Sequence, residues 1–568
     1  MLHFVELLGA REVPPVATAA RGRAAVTIDQ ANGALVVEAQ LENFADANQA
    51  HVHEAYAGDN GAVLVPLSQD PMDPAHWLAE DATLNAAGLD AFAAGRLYVN
   101  VHSPDNPAGE IRGQIVPDGV TLLFTALGGQ QEVPVVDTNA EALAALTLDE
   151  AGELLTIHVN TRRMTTANAA HLHSAYGGVD GPVEIGLTQD GSDTAHWFSE
   201  EQALTATQLE AFRVGATYVN VHSPAHPGGE IRGQVIPENI VFAFDRLSGA
   251  QQVPVVTSAA TGTSAVTVDP AAGTLVAHVN TSGADDATGA HLHDAFAGTN
   301  GGIVIPLTQD AGNVAHWSAI DAPVDAGQLA AIRAGRYYAN VHTPANPGGE
   351  IRAQLTPEPI EVLFTSLGGD EEVPSVASPA SATVASTVNR DSGDLTLHLH
   401  ADGADDATAS HIHQAYAGQN GAVFIGLQQD AADPGHWSVS GQQLDAAGLA
   451  DYLAGRLYVN LHTPANPAGE IRGQLAPRDI QVVFSAMDGD QVVPPVTTTA
   501  GGRAATTVDL ASHRVVAYLN AVGVDDATAA GIHLGGTGEN GMEVLSLVQT
   551  PMQPGQWSVT GELLDNAT

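Results

Sequence analysis

Histidine is the residue type to start from, because neutral imidazole is the commonest metal ligand and titrates nearest to neutral pH. Of the 24 histidines in the chain, 16 fall in its first four 120-residue stretches at four recurring positions. The first set is His51, His53, His76 and His102, and the second is His171, His173, His196 and His222. The third is His291, His293, His316 and His342, and the fourth is His411, His413, His436 and His462. Each set opens with a His-x-His pair. On a β-strand, alternate residues share a face at a spacing of about 6.6 Å, near enough for two imidazoles to close on one ion. With Val52, Val99 and Val101 turned toward a core, the three strand histidines lie on the outer face, and His76 arrives from the loop before Trp77. Four neutral nitrogen donors without a thiolate suit Cu(II) best and Zn(II) next. The expectation is therefore a copper site, or alternatively a zinc site, in each of the four stretches.

A fifth stretch supplies the contrast. There Gly531 stands in the place of His51, Gln556 in that of His76 and Thr550 in that of Asp70, while His533 remains. Val493-Pro494, Asn540-Gly541 and Trp557 all persist. Fold markers stay while the polar set disappears together, as expected of residues with a shared purpose. Histidines that each cap a loop would be lost independently.

The elements that must position these residues repeat with them. Val-Pro steps occur at Val13-Pro14, Val133-Pro134, Val253-Pro254, Val373-Pro374 and Val493-Pro494. The five tryptophans are Trp77, Trp197, Trp317, Trp437 and Trp557, one per copy with no insertion or deletion between them. The repeats are placed at 1–119, 120–239, 240–359, 360–479 and 480–568, the last incomplete. In the first, residues 24–28 and 35–39 flank Gly33 as a hairpin, and Asn60-Gly61 turns into a strand over 62–66. One short helix is expected from Leu84 to Ala94, stopped by Gly95, before closing strands at 97–102 and 110–116. The fold class is all-β: a tandem array of antiparallel, Greek-key-like β-sandwich domains, each with one short helix and its Trp in or near the core. Short, proline-marked junctions without Gly/Ser spacers imply stiff connections and a rod.

Three segments, "LLGAREVPPV" (Leu7 to Val16), "AHVHEAYAGDNGAVLVPL" (Ala50 to Leu67) and "GRLYVNVHSPDNPAGEIRGQ" (Gly95 to Gln114), recur with the repeat. Together they resemble the CHRD (chordin) domain family. That resemblance implies a secreted, extracellular or cell-surface β domain without a defined activity. Growth-factor binding in that family is associated with separate cysteine-rich modules, and this chain has no cysteine. The order of an H-x-H strand, a loop histidine and a later strand histidine also resembles the copper site of Cu/Zn superoxide dismutases. The zinc loop and disulfide of those enzymes have no counterpart here.

Bulk properties narrow the partners. All 19 basic residues are arginine, against 65 acidic residues, for a formal charge of −46. Such a surface repels nucleic acid and anionic membranes and attracts cations. No apolar run is long enough to span a bilayer. Glu110, Arg112 and Gln114 share a strand face and recur, which suggests an ion pair holding the closing strand. The varied set His158, His278, His398, Glu38 and Tyr518 suggests an exposed strand position. Three function classes stay open. The preferred one is an extracellular structural or binding array that holds metal ions and is not an enzyme. The second is a copper-only, superoxide dismutase-like enzyme, whose anionic substrate the protein's charge would repel. The third is an adhesion module whose histidines are structural. Because the sequence stops at Thr568, opposite Gly88, the reading favours a clipped last repeat; the rival is self-assembly into a filament by strand addition at that repeat.

Overall fold

The computed structural model describes residues 1–524 and 526–563; the expectation about Thr568 lies outside them. The chain divides into two compact units. One comprises Met1–Phe244, Ala265–Asn280 and Ser318–Val324, and the other Asp245–Ser264, Thr281–Trp317 and Asp325–Thr568. Strands are antiparallel throughout the pairings within each unit, and the only α-helices among the described residues are four of eight residues, one in each of the first four repeats. None is long and apolar enough to cross a membrane.

Repeat one sets the pattern. Its elements are β1 (Leu2–Leu8), β2 (Arg21–Ile28), β3 (Ala34–Glu42), β4 (Gln49–Glu54), β5 (Ala62–Asp70), β6 (Asp73–Thr83), α1 (Ala86–Ala93), β7 (Leu97–His102) and β8 (Ile111–Gln114). The strands close into a barrel in the order β1-β2-β3-β6-β5-β4-β7-β8. β3 therefore pairs with β6 and β4 with β7, the non-sequential crossing that defines a Greek key. In repeat four the equivalent strands form two sheets, of five and four strands.

Local chemistry explains the elements. The β2–β3 hairpin turns at Gly33, whose φ of +77° is a left-handed conformation, and a Cβ there would lie 2.1 Å from the Leu84 carbonyl oxygen. Only glycine fits. α1 starts where the Asn85 side chain accepts from the Gly88 N–H at 2.9 Å, satisfying one of the unpaired amides of the first turn. Alternation along β2, β3, β4 and β7 sends Val26, Val37, Val52, Val99 and Val101 into the core with Trp77. All five tryptophans are buried.

Candidate functional site

β4 and β7 are hydrogen-bonded neighbours, with His51 opposite Asn100, His53 opposite Tyr98 and Gln49 opposite His102. His51 is thus diagonal to His102 on the same face, where long side chains meet across an antiparallel pair. The pairing of β4 with β5 shifts register between Val52 and His53, with Leu64 of β5 as the extra residue. The result is a group of three: ligand-capable atoms of His51, His53 and His102 lie within 4.8 Å of one another. The same holds for His171, His173 and His222, for His291, His293 and His342, and for His411, His413 and His462. His51 Nδ1 is 3.1 Å from His102 Nε2, and His171 Nδ1 is 3.0 Å from His222 Nε2. Three nitrogens about 2.0 Å from a shared ion would stand roughly 3.5 Å apart, so small ring rotations would suffice.

The backbone fixes two of the three tautomers. His53 Nδ1 lies 3.0 Å from the Gly61 carbonyl and His102 Nδ1 lies 3.2 Å from that of Pro107. A carbonyl only accepts, so each Nδ1 carries the hydrogen and each Nε2 presents a lone pair. In repeats three and four, His291 Nδ1, His293 Nε2 and His342 Nε2, and likewise His411 Nδ1, His413 Nε2 and His462 Nε2, are buried without a hydrogen-bond partner. Burial holds His51 and His53 below the usual imidazole value and, with the charge of His51, pushes His102 down to about 4. Burial likewise lowers His171, His173 and His222. These rings are neutral at neutral pH, the form a metal requires.

Behind them stands a support that the sequence left unread. His53 stacks on Tyr98 with ring centroids 5.0 Å apart, and the Arg112 guanidinium covers the other side of that ring at 3.5 Å. Arg112 is 1% exposed and donates to the carbonyls of Asp59 and Tyr56. The expected Glu110–Arg112 pairing is replaced. Glu110 accepts from the Thr18 and Ser103 hydroxyls, while Arg112 ties the Tyr56–Asn60 loop and the Tyr98 ring together. Equivalent stacks are Arg232 on Tyr218, Arg352 on Tyr338 and Arg472 on Tyr458.

The fourth histidine of each set is not in the group. His76 lies on β6 opposite Gln40 of β3, and β5 separates β6 from β4. His76 Nδ1 instead faces Asp70 Oδ2 at 3.4 Å. Its equivalents build a second cluster. His158 Nδ1 is 2.9 Å from His196 Nε2, and His398 Nδ1 is 3.0 Å from His436 Nε2. The strand position occupied by His158, His278 and His398 is buried rather than exposed, because the loop of the preceding repeat covers it. A Cβ on Gly58 would lie 2.8 Å from His158 Cβ, and one on Gly178 2.9 Å from His278 Cβ. The Gly58 carbonyl accepts from Asn160, Gly178 from Asn280, Gly298 from His400 and Gly418 from Asn520. A partial sequence signal for this cluster existed: both histidines are absent from repeat five, as Tyr518 and Gln556, although repeat one keeps His76 beside Glu38.

A model of the CHRD domain matches residues 4–115, 123–235, 245–355, 363–475 and 483–568. The chain belongs to the CHRD domain family. It is also similar to chordin from Xenopus laevis, at 28% identity over 252 residues, which is 40% of this chain and 26% of that protein. The chain thus spans about a quarter of the length of that relative.

Proposed function

We propose that this CHRD array is an extracellular binding protein whose first four repeats each hold one copper ion on three histidines, with zinc as the alternative. Membership of the CHRD family and the likeness to chordin support the extracellular, multi-domain binding role. The observation that carries the metal reading is the convergence of buried imidazole nitrogens that have no hydrogen-bond partner, clearest at His291, His293 and His342. An unpaired buried acceptor costs about 1–3 kcal/mol, and a metal ion would satisfy three at once. A neutral N₃ donor set with carbonyl-tethered rings suits copper, and the partly exposed His51 ring leaves an approach from solvent. Ion entry needs one change in repeat one, the transfer of the His51 proton from Nδ1 to Nε2. The test is metal analysis of the purified chain after copper loading and dialysis. The expected stoichiometry is about four ions per chain, falling by one when His51 and His53 are both replaced by alanine. Saturation near five, or no response to that double replacement, would sink the reading.

A further inference from the structure

Under the loop that follows β7, two buried side-chain oxygens lie against the same glycine and neither has a hydrogen-bond partner. Glu12 and Asn100 are 3% and 1% exposed, and Glu12 Oε1 and Asn100 Oδ1 both lack a partner. The same two atoms are unpartnered in Glu132 and Asn220 and in Glu372 and Asn460. Gly109 packs over the pair, since a Cβ there would fall 2.5 Å from the Asn100 amide and 2.7 Å from Glu12 Oε1. Repeat three supplies the comparison. Gln252 stands in the place of Glu12, and its Nε2 donates to Asn340 Oδ1 at 2.7 Å.

Two acceptors in contact are repulsive unless a hydrogen lies between them. Glutamine brings one on its amide; a carboxyl group brings one only when protonated. We infer that Glu12, Glu132 and Glu372 are held as neutral acids in the folded protein, each donating its O–H to Asn100, Asn220 or Asn460. The loop after β7 is thus latched by a proton in repeats one, two and four, and by an amide in repeat three. Ionised carboxylates with rotated asparagine amides are the rival arrangement. That rotation would turn Asn100 Oδ1 toward the Ala108 carbonyl, to which Nδ2 donates at 3.4 Å, and so would move the repulsion without removing it. Asn220 Nδ2 reaches Glu132 Oε2 only at 3.5 Å and leaves Oε1 unpaired.

The surroundings agree. Burial pushes Glu12 and Glu372 up to about 7 and Glu132 up to about 8, against the opposing pull of Arg112, Arg472 and Arg232. The neighbouring acids Glu110, Glu470 and Asp180 push in the same direction as burial. A carboxyl group raised above its unfolded value stabilises fully below that unfolded value, and the contribution is lost as pH rises through about 7 to 8.

The test uses the full chain and the triple variant Glu12→Gln, Glu132→Gln and Glu372→Gln, which copies the side chain of repeat three. Infrared difference spectra near pH 6 should show a stronger carbonyl stretch of protonated carboxylic acid in the parent than in the variant. The variant keeps Asp245 and Glu371, two other carboxyls that burial pushes up to about 7. Raising the pH from about 6 to about 9 should lower the melting temperature of the parent more than that of the variant. Gln252→Glu should add to both signals. An acid band of equal strength in parent and triple variant near pH 6, or equal pH dependence of their melting, would overturn the inference.

Discussion

Over the strands that lead up to Trp437 and Trp557, the described parts of repeats four and five pair alike and differ in their polar interiors. In both, an asparagine reaches back to the Val-Pro step: Asn420 Nδ2 donates to the Val373 carbonyl at 2.6 Å and Asn540 Nδ2 to that of Val493 at 3.0 Å. Both bury their tryptophan, and both dock the preceding repeat through a side chain at one strand position, His400 or Asn520. Repeat four adds His411, His413 and His462 as a converging group, and His398 with His436 as a pair. In repeat five Gly531 and Glu543 occupy the space of the first ring, and His533 keeps its carbonyl tether to Gly541 at 3.2 Å while lying exposed. The hydrogen bonds that maintain the fold are therefore separable from the imidazole clusters. The His413 ring is buried, stacked on Tyr458 and close to two other imidazoles.

The sharpest way to break the comparison is to make repeat four imitate repeat five. His411→Gly copies Gly531 and removes one of three donors, and with two donors left the ion should be lost from that repeat. Copper retained after dialysis should fall by about one ion per chain, while the melting profile changes little because His411 is the least buried of the three rings. Full retention of copper would mean that the ion sits elsewhere, with the His398–His436 pair as the first place to look.

Much of this was legible in the sequence for a definite reason. A period of 120 residues shows which positions tolerate change, and period-two alternation reports faces, so the strands, the buried Val52, Val99 and Val101, and the shared face of His51, His53 and His102 could all be read from it. The position of His76 could not. Whether β6 neighbours β4 depends on the non-local order of strands in the barrel, and β5 intervenes. The burial of His158 was hidden for a related reason, because its cover comes from Gly58 in another repeat. Arg112 was misread because an alternating Glu-x-Arg-x-Gln face looks like an exposed charge ladder, whereas the guanidinium is enclosed by a tyrosine ring and loop carbonyls.

Acid should sharpen the contrast by an intermediate amount. Burial, followed by the charge of the facing histidine, pushes His398 down to about 4 and His158 to about 3. Their unfolded value is about 6.5. A group with a depressed folded value binds more protons when unfolded, so its contribution is present above about 6.5 and is lost as pH falls toward 3 to 4. Repeat five, with Tyr518 and Gln556 at these positions, lacks this liability. Hydrogen exchange across a pH series should show the strands of repeats two and four losing protection on acidification before those of repeat five. Simultaneous loss in all three would contradict the assignment.

The smallest effect is expected at the junction. His400 is the exception at a position where Asn160, Asn280 and Asn520 serve in other repeats, yet its Nε2 donates to the Gly298 carbonyl at 2.7 Å just as the asparagines do. Its ring also stacks on His436 with centroids 4.6 Å apart. His400→Asn keeps a donor to the carbonyl and loses only the stacking, so stability should change by less than about 0.5 kcal/mol. His400→Ala leaves the Gly298 carbonyl unpaired in a covered junction and should cost about 1 kcal/mol. Asn520→Ala should cost a similar amount, because the donor and the carbonyl of Gly418 are arranged alike. Denaturant unfolding of the full chain, followed by hydrogen exchange at the strands bearing these residues, measures all three. If His400→Asn proved as costly as His400→Ala, the histidine would be needed for its ring against His436, and the second cluster of repeat four would have a role beyond holding neighbouring repeats together.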